Sequence, residues 1–137
     1  MKKRDESKGP GGWAGLKRAL LYGALICFTL LFVGYMWICF SIRSSVKEIS
    51  AQAVTEYPGD RVDALMTYVE SANHSLRQRN RAVWALGQIG DSRALPTLEK
   101  FRTGKPCDHS SRLCQHELAK AIKACSGAFN ATAWLPR

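Results

Sequence analysis

The sequence predicts an all-α protein: one transmembrane helix followed by a short α-solenoid of about two helical hairpins. Three observations predict it. No residue between Arg18 and Arg43 is charged. Beyond that stretch, apolar residues recur at spacings of three and four, the period of a helix with one buried face. No run alternates apolar and polar residues as a half-buried strand does.

Size and composition bound the rest. A chain of 137 residues with 46% hydrophobic and 23% charged residues is near the globular average, which excludes both a disordered chain and a polytopic membrane protein. Once the uncharged stretch is set aside, about 95 residues remain, enough for one domain with a modest core.

Residues 1–18 read as a basic cytoplasmic stub. Lys2, Lys3, Arg4, Lys8, Lys17 and Arg18 outweigh Asp5 and Glu6, and Gly9-Pro10-Gly11-Gly12 carries no apolar pattern. Residues 19–42 form the transmembrane helix: at a rise of ~1.5 Å per residue they cover a hydrocarbon core about 30 Å thick with some excess for tilt. Tyr35, Trp37 and Phe40 gather at one end, where amphipathic rings favour the headgroup level. A secretory signal is the competing reading, since Ala51-Gln52-Ala53 imitates a cleavage site. An apolar signal region is usually only ~7–15 residues long, and Arg43, Lys47 and Glu48 lie before those alanines, so a retained anchor is preferred. The basic flank places the N-terminus in the cytoplasm and the C-terminal domain outside it, with a bacterial inner membrane favoured over a eukaryotic endomembrane. Gly15, Ala19 and Gly23 fall four apart and would let a second helix approach, so homo-oligomerisation through the span is an expectation. The alternative is a helix that meets only lipid.

Residues 43–58 are a connector that either continues the spanning helix or forms a short cap. Pro58-Gly59-Asp60 breaks the chain. A helix then runs from about Asp60 to Ser71 on Val62, Leu65, Met66 and Val69, and a second from about Leu76 to Ile89 on Leu76, Val83 and Leu86. Gly90-Asp91-Ser92 ends that helix and caps a third carrying Ala94, Leu95, Leu98 and Phe101. A last helix, with Asp108 or Ser110 as N-cap, carries Leu113, Leu118, Ala121 and Ile122 and stops near Ser126-Gly127.

The breaks divide residues 59–126 into two helix-turn-helix units, and the units repeat. Gly59-Asp60-Arg61-Val62-Asp63-Ala64-Leu65 lies against Gly90-Asp91-Ser92-Arg93-Ala94-Leu95 with one gap. The stretch Arg79-Asn80-Arg81-Ala82-Val83-Trp84-Ala85-Leu86-Gly87-Gln88-Ile89-Gly90-Asp91-Ser92-Arg93-Ala94-Leu95-Pro96-Thr97-Leu98 resembles a HEAT repeat of the type found in phycocyanobilin lyases. In physical terms, Ala82 and Ala85 permit close helix packing, Gly87 and Gly90 relieve crowding at the turn, Asp91 caps, and Pro96 sits in a first turn where its missing N–H is harmless. The resemblance implies a stacked helical scaffold that binds another protein along one face, without chemistry of its own. HEAT-repeat hydroxylases hold two irons on several His-Glu pairs. This chain has one, His116-Glu117, too few for such a centre. Two repeats are also short of the ~3 needed for a continuous core. The connector, a partner, or the tail at 127–137, with Phe129, Trp134 and Leu135, should cover the ends.

No nucleophile-base set, phosphate loop or dinucleotide fingerprint occurs, and no cofactor is expected. The partner-binding residues are expected to be Arg77, Arg81, Trp84, Arg112, Lys120 and Trp134, with Arg79 and Lys123 near the same basic patch. From Arg43 onward fourteen basic residues face nine acidic ones, a mild excess that reads as a solvated face or as a patch for an acidic partner or the membrane surface; the expected partner is another, membrane-associated protein, and nucleic acid is not expected for an exported, anchored domain. The second function considered is a redox- or metal-responsive module. Cys107, His109, Cys114 and His116 have zinc-ligand chemistry, but a helix begun near His109 would separate the two histidines by about 10 Å, too far for one ion. Cys107 can instead reach Cys114 to close a disulfide in an oxidising compartment, leaving Cys125 unpaired. Cys27 and Cys39 lie in the span and read as small apolar residues. The sequons at Asn73 and Asn130 matter only in a eukaryotic lumen.

Overall fold

The computed structural model describes residues 11–108 and 110–128, all helix, turn or loop. His109, Trp134 and the rest of the tail beyond Ala128 therefore lie outside the described residues, as does the stub as far as Pro10. The chain divides into two compact units, 1–38 and 39–137.

α1 covers Gly11–Glu56. Its large apolar side chains from Trp13 to Phe40 face outward, from Trp13 at 74% exposure to Met36 at 43%, so no protein core receives them. By length and composition this helix can cross a membrane. Gly15 and Gly23 have nothing within 4 Å of a built Cβ, so the small-residue face is open. Pro58 lacks the N–H and the conformation needed to extend α1, and Gly59 at φ 126° turns the chain.

The second unit begins within α1. Ile49 and Ala53 enter its core, with Val46 and Tyr57 packed beside them, so the connector continues the helix and covers one end of the repeats. Ser50 is fully buried, and its hydroxyl has no hydrogen-bond partner among the described residues. α2 is Arg61–Glu70, started by the Asp60 carboxylate, which accepts from the N–H groups of Val62 and Asp63 at 2.9 Å. α3 is Leu76–Ile89. A capping box joins Ser75 and Gln78 at its start, and Gly90 at φ 68° closes it in the left-handed conformation. A 3-10 turn over Ser92–Ala94, capped by Asp91, leads into α4 at Leu95–Lys100, with Pro96 in its first turn.

The last helix differs from expectation. α5 is Gln115–Cys125, one to two turns shorter than an Asp108 or Ser110 cap implies, and Cys114 is its N-cap. The Asp108 carboxylate accepts instead from the Ser110 and Ser111 hydroxyls and the Ser110 N–H, a local turn that competes with helix. Those bonds hold its pKa well below the usual carboxylate range. Helical spacing therefore cannot be used to separate His109 from His116.

Leu65 and Val69 of α2, Val83 and Leu86 of α3, Leu98 of α4 and Leu118 of α5 are fully buried and form one core with Leu113 and Cys125. Each such side chain stabilises by about 1.5–3 kcal/mol relative to exposure. α3 and α5 run in the same direction: Asn80 lies beside Cys114, Gly87 against Ala121, and the Cys125 thiol donates to the Leu86 carbonyl at 3.6 Å. A Cβ at Gly87 would fall 2.9 Å from Ala121 Cα. Gly87 is thus required by the contact between two helices, and not by crowding at the turn. The Cys125 thiol, pushed up to about 11 mainly by burial, is held neutral.

Two polar clusters tie the hairpins together. Arg93 reaches Asp60 at 2.8 Å, Asp63 at 3.6 Å and Asp91 at 3.1 Å, and so joins the aspartates of both Gly-Asp turns. The guanidinium helps hold the Asp60 carboxyl below its ordinary pKa, after the Asp63 N–H. On the other side, His74 stacks on Tyr68 at 3.6 Å between centroids and meets Tyr57 at 3.0 Å and Glu56 at 3.1 Å. Gln52 donates to the Tyr68 hydroxyl, which joins α1 to α2. Burial, then the charge of Glu56, raises the Tyr68 phenol.

Candidate protein-docking site

The α3 capping box sets where the first turn begins, and that register puts Arg77, Arg81 and Trp84 at positions i, i+4 and i+7. Their opposite neighbours Ala82, Val83, Ala85 and Leu86 are buried. The stripe and Asn80 line a groove of about 500 Å³ whose other wall includes Glu117 of α5. Arg77 and Arg81 are exposed and Trp84 is half-buried. Among the described residues neither arginine forms an ion pair, and the charge of Arg81 acts on the Tyr68 phenol. Glu117, the acidic group of the lining, is paired with Lys120 at 3.3 Å. The groove thus offers two exposed guanidiniums with no ion-pair partner among the described residues, and one aromatic face.

The remaining basic residues of the expected patch are placed differently. Arg79 is directed away from the groove, with its Nε donating to the Val69 carbonyl at 2.7 Å and its guanidinium over Phe101 at 5.4 Å. It is a structural residue joining α3 to α2 and to the end of α4. Arg112 sits 3.8 Å from Asp108, and Lys120 is engaged by Glu117, so neither lines the groove. Asn80 was not foreseen: its Oδ1 accepts from the Cys114 N–H at 2.9 Å and so fixes the start of α5 beside α3. An asparagine between two arginines gives no periodic signal, and only the tertiary contact reveals its part.

The cysteine cluster lies at the start of α5. Cys107 is exposed, Cys114 is buried, and their sulfurs are 3.6 Å apart as free thiols. The His116 N–H donates to Cys107 Sγ at 3.4 Å, while the His116 ring is on the exposed surface. These N–H groups, the Cys114 thiol and the Gln115 N–H lower the Cys107 pKa, against burial and the charge of Glu117. Among the described residues no group of three or more His, Cys, Asp or Glu side chains is placed to hold a metal ion.

Comparison with known proteins gives one family match: the model of the PBS lyase HEAT-like repeat matches residues 78–101. That range runs from the first turn of α3 through the Gly90-Asp91 turn to the end of α4. No curated protein and no solved structure matches the chain. The fold is all-α, with a HEAT-like repeat and one long apolar helix near the N-terminus.

Proposed function

We propose that this chain is a single-pass membrane-anchored HEAT-like scaffold, an accessory subunit that docks an acidic segment of another membrane-associated protein into the α3/α5 groove. The repeat match supports a helical interaction domain, since repeats of this kind are generally structural. The observation that carries the proposal is the pairing of exposed Arg77 and Arg81 with Trp84 on one stripe that lines the groove. Arginine forks bind carboxylates in two-point contact, and arginine and tryptophan are the residues that most often anchor protein interfaces. An acidic segment with an apolar side chain between its carboxylates fits these groups; a basic one is repelled. No chemistry is assigned to the chain. The outward-facing apolar residues of α1 support anchoring through residues 19–42, and the basic flank before the span is the ground for an N-terminus in the cytoplasm and repeats outside it.

The test is crosslinked capture of the full-length protein from its native membrane, compared with a chain carrying Arg77→Glu and Arg81→Glu. A stoichiometric partner captured by the first and lost from the second, with crosslinks on an acidic segment, is the expected result. A partner retained at full yield by the charge-reversed chain refutes the groove as the docking surface.

A further inference from the structure

Cys107 and Cys114 do not contribute to the groove chemistry, yet the fold brings them together with care. Cys114 is the N-cap of α5 but makes no capping bond through its side chain. Cys107, eight positions earlier than Gln115, supplies the missing acceptor, and its sulfur takes the His116 N–H at 3.4 Å. The sulfur therefore sits at the positive end of an eleven-residue helix, where a thiolate is favoured. Cys107 is exposed to solvent and to small oxidants, whereas Cys114 is 8% exposed and its sulfur lies 3.6 Å from that of Cys107. A disulfide needs S–S at about 2.05 Å, so closure requires the two sulfurs to approach by roughly 1.5 Å, within reach of a side-chain rotation in the loop before α5.

We propose that Cys107 and Cys114 form a reversible dithiol–disulfide switch, in which Cys107 is the attacking sulfur and Cys114 the resolving one. The Cys107 thiolate attacks one sulfur of a small-molecule or protein disulfide, and the other half leaves as a thiolate that takes up a proton. Cys114 then loses its proton and displaces the second half from the mixed disulfide, which also leaves as a thiol. Two thiols of this chain are oxidised and one external disulfide is reduced to two thiols, so electrons and protons balance. Reduced Cys107 keeps its charge–dipole contact with α5 and the disulfide loses it. The fold therefore favours the dithiol and makes the bond easily reduced, unlike a structural crosslink. This inference is independent of what occupies the groove.

The test uses the full-length protein in detergent micelles, equilibrated across glutathione buffers from reduced to oxidised, then acid-quenched, alkylated and digested. Tryptic cleavage after Arg112 separates the two cysteines, so their bond is read by mass as a crosslinked peptide pair. The expected result is a linked pair that appears and disappears reversibly within the glutathione range. Cys114→Ser should trap a glutathione adduct on Cys107, and Cys107→Ser should leave Cys114 unmodified. Cys107 should alkylate faster than Cys125 by about tenfold or more at neutral pH. Circular dichroism identifies any variant that has lost its helices, and the unsubstituted chain carries the titration in any case. Thiols that persist in the most oxidised buffer, a bond that survives the most reduced one, or a glutathione adduct on Cys107 that never passes to Cys114 in the unsubstituted chain would each overturn the switch. Equal reactivity of Cys114 with and without Cys107 would overturn the assigned roles.

Discussion

Replacing Gly87 by alanine tests the helix contact on which the groove depends. The added methyl would lie 2.9 Å from Ala121 Cα and 3.0 Å from Ala121 Cβ, closer than carbon atoms are found. Backbone stands on the other side, so no flexible side chain can give way, and α3 and α5 must separate by several tenths of an ångström. Overpacking of this kind costs about 1–3 kcal/mol. Alanine in place of glycine within a helix recovers about 1 kcal/mol. The net expectation is a loss of up to about 2 kcal/mol, worth up to roughly 8–16 °C in Tm for a unit of this size. The separate contact with Ala121 Cα also predicts that Ala121→Gly cannot rescue the variant, because it relieves only the 3.0 Å contact. Thermal denaturation of the full-length protein in detergent, followed by circular dichroism at 222 nm, about the helical minimum, reads both variants. A Tm for Gly87→Ala raised above that of the unsubstituted chain would show that α3 and α5 do not approach as closely as this account requires.

Three further expectations are simpler. Arg93→Met should lower Tm modestly and in a salt-sensitive way, since all its ion pairs are at the surface. Because Asp60 has a folded pKa depressed below its ordinary value, its contribution is present above about pH 4 and fades as pH falls below that, so Arg93→Met should also flatten acid denaturation monitored by circular dichroism. Cys125, a residue only 3% exposed with its thiol pushed up to about 11, should resist a thiol reagent at about pH 8 until the domain unfolds, as absorbance of the released chromophore would report. Ser50→Ala removes a buried hydroxyl that has no partner and should raise Tm, with a stabilisation of about 1 kcal/mol in denaturant titration; a loss of stability would show that the hydroxyl is hydrogen-bonded after all.

The helices were legible where sequence and local physics agree. Asp60 and Gly90 stand in turn signals whose effect extends only a few positions, and α2 begins and α3 ends where those signals place them. The repeat string around Leu86-Gly87 to Pro96 was legible for the same reason. α5 was not, because the Asp108 turn consumes the donors that a cap would use, and the choice between turn and helix rests on two serine hydroxyls. The groove was legible in part. Arg77, Arg81 and Trp84 share a face by period alone, and the pairing of Arg112 with Asp108 and of Lys120 with Glu117 is local, at spacings of four and three that the sequence displays, whereas the bond that turns Arg79 aside is made to the Val69 carbonyl of another helix. The Arg93 cluster was concealed similarly: its aspartates at 60 and 63 lie about thirty residues away, and nothing local marks them as its partners.

The parallel course of α3 and α5 has a consequence for anything that lies between them. Antiparallel neighbours cancel their axial fields; these two reinforce each other, each presenting the positive end of its dipole on the side where Asn80 receives the Cys114 N–H. Arg77, in the first turn of α3, adds a full charge near that end. The groove is therefore a ramp in electrostatic potential and not a uniform trough, steepest toward its Arg77 mouth. An unsymmetrical anionic chain placed in it has a lower-energy heading, and reversing the order of its acidic and apolar residues should weaken its hold even though composition and length are unchanged.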